Sequence, residues 1–193
     1  MSRILSRDFY DRDTETVARE LLGAIIEHRG DGGISSGRIV ETEAYVGDHD
    51  PACHAAVGRT RRTEPLYGRP GTCYVYFIYG MHWCVNAVTR AEGLPSAVLV
   101  RAIEPLSGVR LMQQRRGPRV RGVNLTNGPA KLCAALGIDG AFNGLSLQQR
   151  PLVIRQGEPV ADASVVTATR IGITKATDWP LRYYLADNPW VSR

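Results

Sequence analysis

Apolar Val17, Ala18, Leu21 and Leu22 recur at helical spacing and predict a helix over residues 14–22. Gly23 interrupts that pattern. Ala24-Ile25-Ile26 then reads as a strand, because isoleucine is stiff about its first side-chain torsion. Arg38–Tyr45, Thr72–Tyr79, His82–Thr89 and Ala97–Ile103 also have strand character, and residues 72–89 read as a β-hairpin turning at Tyr79-Gly80-Met81-His82. Helices are predicted over Pro105–Arg116 and Pro129–Leu136, the second with Asn127 as cap, Pro129 in its first turn and Gly137 as its stop. The stretch from Leu152 to Tyr184 alternates like strands joined by loops. Strands clustered in the first half with helices scattered between them predict an α+β chain.

At 193 residues one domain, spanning 1–193, is the expectation, and such a chain buries about 70% of its unfolded surface without staples. Hydrophobic residues at 44% and charged residues at 22% argue against a disordered chain. No apolar run approaches the ~20 residues of a membrane helix, and the charged N-terminus lacks the apolar core of a signal peptide. An intracellular protein with no membrane partner is expected. Cys53, Cys73, Cys84 and Cys133 form no CxxC pair, which suits a reduced chain. The net charge is +5, and every basic residue except Lys131 and Lys175 is arginine. Arginine grips phosphate oxygens through its planar fork, although a GC-rich genome also favours its codons.

Two Gly-, Pro- and Arg-rich segments, 46–71 and 115–127, read as long loops, and loops of that length are commonly functional or disordered. On the strand Arg38–Tyr45, Glu41, Glu43 and Tyr45 share one face while Val40, Thr42 and Ala44 take the other. Two carboxylates on one face form an acid/base pair or, more commonly, a solvated edge. Residues 74–83 hold five aromatics, most of which would ordinarily pack a core. Tyr79 differs because it abuts the hairpin tip, where a large ring has little core to join and suits insertion between stacked bases. Asp48, His49, Asp50, Cys53 and His54 are potential metal ligands but match no standard ligand spacing, so they also read as an acidic turn.

Arg38-Ile39-Val40-Glu41-Thr42-Glu43-Ala44-Tyr45, Asp50-Pro51-Ala52-Cys53-His54, Pro70-Gly71-Thr72 and Tyr74-Val75-Tyr76-Phe77-Ile78-Tyr79-Gly80-Met81 follow one another in an order that resembles the alkyladenine (3-methyladenine) DNA glycosylase family. The resemblance continues through Asn86, Leu99–Ala102, Asn127–Leu132, Pro180–Tyr184 and Pro189–Ser192, and so spans nearly the whole chain. It implies a compact fold around a curved, mainly antiparallel sheet with a protruding hairpin and flanking helices. It also implies double-stranded DNA containing damaged purines as partner, no cofactor, and a monomer.

By this resemblance the enzyme flips an alkylated or deaminated purine out of the duplex and hydrolyses its N-glycosidic bond. Glu43 is the implied base that activates the water, with Arg101 helping to hold that water and Glu41 in a structural role. Tyr45 stacks on one side of the base, His54 and Tyr76 flank the other, and Asn86 crowds the 2-amino group of guanine. Tyr79 fills the gap left in the duplex, with Leu66 near it. Arg59, Arg61, Arg62 and Arg182 are phosphate candidates by loop position or motif match. No lysine falls in the matched pocket motifs, which implies a monofunctional enzyme without a strand-cleaving Schiff base. For Tyr76 and Asn86 to face one pocket, the hairpin needs a three-residue connection or a bulge at 80–82, with Tyr76 opposite Asn86. Thr63 stands where the family commonly has asparagine, and Ala130 where glycine is frequent. The rivals are a non-catalytic module that binds damaged DNA, and a metal-dependent hydrolase built on His49, His54 and nearby acids.

Overall fold

The computed structural model describes residues 2–192. After the one-turn helix α1 (Arg7–Tyr10), Asp13 caps α2 (Thr14–Glu20) by accepting from the Thr16 amide at 3.0 Å. Val17, Ala18 and Leu21 are fully buried, as the helical spacing of the apolar residues requires. Among the described residues the eight strands are β1 (Ile25–Gly30), β2 (Gly33–Tyr45), β3 (Cys73–Ile78), β4 (His82–Val88), β5 (Ala97–Ser107), β6 (Leu152–Arg155), β7 (Val165–Ala168) and β8 (Arg182–Leu185). They form one antiparallel sheet in the order β3-β4-β5-β2-β1-β6, with β8 alongside β2 and β7 alongside β8. Helices α3 (Val109–Arg116) and α4 (Pro129–Leu136) complete the α+β fold.

Strand β2 organises the sheet. Its first half pairs with β1, and residues 41–43 pair with β8 instead. The register against β5 shifts between Ile39 and Glu41 and again between Glu41 and Thr42, where the strand changes neighbour. Such irregularities bend a strand and re-aim its side chains. Residues 39–44 are all fully buried, so both faces of this strand are covered. Thr42 donates to the Ala18 carbonyl of α2 at 2.8 Å, which marks the core-facing side. The expectation that the opposite carboxylates form a solvated edge is overturned, since Glu41 and Glu43 have no exposed surface.

The hairpin joins β3 to β4 through three residues, Tyr79–Met81, in the register Ile78↔His82, Tyr76↔Cys84 and Tyr74↔Asn86. A three-residue connection is what the pocket requires, but it falls at 79–81, and Tyr76 lies opposite Cys84 instead of Asn86. The two-residue offset preserves parity, so Tyr74, Tyr76, Cys84 and Asn86 still share one face. Tyr79 and Gly80 both take positive φ (53° and 66°), and the Met81 amide donates to the Ile78 carbonyl at 3.3 Å. Two successive left-handed residues thus reverse the chain within the three-residue connection.

The expected helix over Pro105–Arg116 begins later. Pro105 and Ser107 belong to β5, pairing with Gly37 and Ser36 across a register shift that leaves Leu106 unpaired. A proline is tolerated in a strand beside such a bulge. Gly108 then turns the chain into α3 at φ +70°, where an added Cβ would collide with the backbone of Ile34 and Ser35. Helix α4 ends at Gly137 (φ 74°) as expected, but its cap is Gly128, and Asn127 instead accepts from Lys131 Nζ at 2.8 Å.

Gly108→Ala should lower unfolding free energy by about 2 kcal/mol, since both its φ and the space around it oppose a side chain. Urea denaturation checks this; a variant as stable as the parent would contradict the turn described.

Candidate active site

A cavity of about 610 Å³ opens between the hairpin face, the end of β2, the 51–66 loop, the start of α4 and residues 171–175. Tyr45, His54, Arg62, Leu66, Tyr76, Tyr79, Asn86 and Arg101 all line it. Glu43 sits directly behind this wall. Its Oε1 accepts from Arg101 Nη1 at 3.1 Å and from the Ile171 amide at 2.8 Å, and its Oε2 accepts from the Tyr45 hydroxyl at 2.9 Å. All three donors belong to residues that border the cavity. A carboxylate offers about four acceptor positions, so one remains on Oε2.

Glu41, two residues earlier on the same face, is bound differently. It accepts from Arg182 Nη1 (2.9 Å), the Ser192 amide (2.7 Å) and the Ser192 hydroxyl (2.9 Å), and it pairs with Arg101 Nε at 3.2 Å. Arg101 therefore spans both carboxylates. Arg182, expected as a phosphate candidate, here donates to Glu41 and to the Thr169 carbonyl. Two arginines matched to two acids keep this buried group electrically balanced.

The far wall is aromatic. The His54 and Tyr76 rings lie 4.4 Å apart between centroids at 72°, and His54 Nδ1 shares a hydrogen bond with the Tyr74 hydroxyl at 2.8 Å. Burial, aided by Arg62, pushes the His54 pKa down to about 4, so its ring is neutral at physiological pH. Burial raises the phenols of Tyr45 and Tyr76 well above their ordinary range and that of Tyr74 to about 12. The walls facing a bound ring thus carry no positive imidazole and no phenolate. Asn86 donates to the Tyr74 carbonyl at 3.0 Å, which fixes its side chain in the cavity wall.

At the rim, Tyr79 is 77% exposed, as expected of a residue at the tip. Leu66 is 2% exposed, packs with Cys53, Ala55, Tyr74 and Val88, and lines the same cavity as Tyr79. Arg62 lies over the Tyr76 ring (5.8 Å to the centroid) and Arg61 is exposed. Arg59 is exposed and paired with Glu64. Thr63 is buried and closes the loop, accepting from the Thr60 amide (2.8 Å) and donating to the Gly58 carbonyl (3.0 Å).

The suspected ligand cluster is dispersed among other tasks. Asp50 forms a buried two-pronged ion pair with Arg170 and accepts from the Ala52 amide, while His54 is bound to Tyr74 and His49 is an exposed neighbour of Asp48. Among the described residues no three His, Cys, Asp or Glu side chains converge on one point.

Three residues of the site escape sequence reasoning. Ile171 acts through its backbone amide, which carries no side-chain signature. Cys84 lines the cavity because it stands opposite Tyr76, a consequence of the turn register. Lys175 lines the cavity from a stretch outside the matched pocket motifs.

A model of the family described as "Methylpurine-DNA glycosylase (MPG)" matches residues 8–189. The chain belongs to the methylpurine-DNA glycosylase family. It is thus a DNA glycosylase, a hydrolase of N-glycosyl bonds in base-excision repair. Relatives from Desulfitobacterium hafniense (48% identical, 97% of this chain and 98% of the relative), Carboxydothermus hydrogenoformans (47%, 98% and 99%) and Methanoculleus marisnigri (50%, 96% of each) are each named "Putative 3-methyladenine DNA glycosylase". No helix among the described residues of this glycosylase is long and apolar enough to cross a membrane.

The depressed His54 pKa sets a pH dependence. The unfolded chain takes up this proton near pH 6.5 and the folded chain only near pH 4, so stability contributed by the neutral ring is lost as pH falls through that window. NMR titration should show a His54 midpoint near 4; a midpoint near 6.5 would mean that the ring is solvated.

Proposed function

We propose that this glycosylase removes alkylated purines, and deaminated adenine as a harder substrate, by flipping the nucleotide into the cavity and hydrolysing its N-glycosidic bond with a water activated by Glu43. The observation that carries the reading is the Glu43–Tyr45 hydrogen bond: an acceptor with one open position lies beside a ring that borders an aromatic cavity. A 3- or 7-alkylated purine is a cation. It is both an activated leaving group and a good partner for the negative faces of Tyr45 and Tyr76. Neutral His54 adds no repulsion against it.

In this scheme water approaches the sugar from the Glu43 side and loses its proton to Oε2 as the bond to the base breaks. The carboxylate also stabilises positive charge growing at C1′. Arg101 and the Ile171 amide hold Oε1 and so fix the carboxylate plane. Asn86 excludes the 2-amino group of normal guanine, and a backbone donor near His54 contacts the oxygen of hypoxanthine. Tyr79 enters the stack in place of the flipped nucleotide. Arg59, Arg61 and Arg62, on the loop beside the cavity, bind phosphates, Arg59 by exchanging its exposed Glu64 partner for DNA. The chain acts as one domain over residues 1–193, as an intracellular monomer.

Glu43→Gln tests the chemistry directly. The amide keeps the shape but takes no proton, so base release from lesion-bearing duplexes should fall at least 100-fold while damaged DNA is still bound. Undiminished release would remove Glu43 from the role of base; no release by the parent enzyme would favour a module that only binds.

The monofunctional reading has its own check. Lys175 borders the cavity, and a Schiff base between its amine and an abasic sugar would be trapped by borohydride. Incubation with lesion-bearing duplex and borohydride should yield no covalent adduct and no strand scission. An adduct lost in Lys175→Arg would overturn that reading.

A further inference from the structure

Tyr45 borders the cavity, and the guanidinium of Arg170 lies over its ring, 4.7 Å from the centroid. Arg170 takes no part in lining the cavity, and its side chain has no exposed surface. It donates to the Ala44 carbonyl at 3.0 Å and to both oxygens of Asp50, the Nη2–Oδ1 bond being 2.9 Å. Asp50 is equally sealed and also accepts from the amides of Val46 (3.3 Å) and Ala52 (3.0 Å). Arg170 Nε has no hydrogen-bond partner, so the guanidinium is held through its two terminal nitrogens alone. The pair also holds two site elements. Ile171, next to Arg170, donates its amide to Glu43, and the loop fastened by Asp50 leads to His54.

We infer that Asp50 and Arg170 are positioning residues which set the charge preference of the base stack: Arg170 clamps the Tyr45 ring, and Asp50 cancels the cation that this clamp places behind the stacked purine. The inference rests on the reading above that Tyr45 stacks the flipped base. An uncompensated arginine behind Tyr45 would draw electron density from the ring and repel a cationic base across it. With the base stacked on the cavity side, the two cations stand about 8 Å apart. At an effective dielectric of about 20, unit charges at that distance change an equilibrium constant by roughly 30-fold. Asp50 removes most of that penalty, so the platform is rigid without selecting against charged lesions.

The signature is a change in preference, which loss of structure alone does not produce. Single-turnover base release is measured for cationic 7-methylguanine and neutral hypoxanthine, and their ratio is compared with that of the parent enzyme. Asp50→Asn keeps the side-chain shape and exposes the Arg170 charge, so the ratio should fall about ten- to thirtyfold against 7-methylguanine. Arg170→Gln removes the cation and should not move the ratio that way; any shift should favour 7-methylguanine. The double variant should return to within about threefold of the parental ratio even where both rates are lower. Thermal melts confirm which variants are folded at the assay temperature. Should Asp50→Asn not fold, a shift toward hypoxanthine in Arg170→Gln would overturn the inference, and a shift toward 7-methylguanine would support it. Equal losses on both lesions in a folded Asp50→Asn protein would reduce the pair to a structural anchor. A parent enzyme that releases neither base would instead sink the reading of the site.

Discussion

The constraint on which this enzyme depends is the burial of two carboxylates in one strand. Glu41 and Glu43 have no exposed surface, and each unpaired would be a charge stranded in a poor dielectric. Arg101 pairs with both, Arg182 and Ser192 complete Glu41, and Tyr45 with the Ile171 amide completes Glu43. Breaking one such buried pair typically costs about 3–5 kcal/mol, whereas the assembled pair adds little net stability. The arrangement therefore acts as a specification. The β5 strand, the 170s segment and the C-terminal residues must all arrive at β2 before its charges are satisfied, and that same arrival builds the cavity wall.

The division of labour within the pair follows from what each carboxylate is given. Glu41 is held by Arg182, by the amide and hydroxyl of Ser192 and by its ion pair with Arg101, and neither Arg182 nor Ser192 borders the cavity. Glu43 receives one arginine, one amide and a phenol from cavity-lining residues. An acid whose donors all border the pocket, with an acceptor position to spare, suits the proposed task. Strand parity alone could not distinguish the two, because it places them on the same face.

How legible this was depended on the range of the forces involved. Helix α2, the hairpin and α4 rest on local rules, apolar spacing and turn chemistry, and they stand close to where the residues predict them. The start of α3 did not, because the bulge at Leu106 and the left-handed Gly108 are imposed by strand β2, some seventy residues away in the chain. The inward turn of Arg182 and the sealing of Asp50 by Arg170 were invisible for the same reason: an exposed arginine and a paired one have the same local sequence. Ile171 was the hardest to foresee, since any residue with an amide hydrogen could serve there. The aromatic wall was legible in kind, yet its membership was decided by the turn, which brought Cys84 opposite Tyr76.

That turn also separates folding requirements from functional ones. The turn takes φ > 0 at two successive positions, and asparagine, aspartate or glycine meets this at little cost. Here the first position is Tyr79 at φ 53°, a conformation that costs a bulky residue roughly 1–2 kcal/mol. Its ring is 77% exposed and so recovers little by burial within the chain. Met81 beside it is 69% exposed, which leaves the tip apolar as well as strained. Neither feature helps this chain fold. Both are met at once if the tip is completed by a surface that accepts apolar groups, as the proposed entry of Tyr79 into a base stack requires.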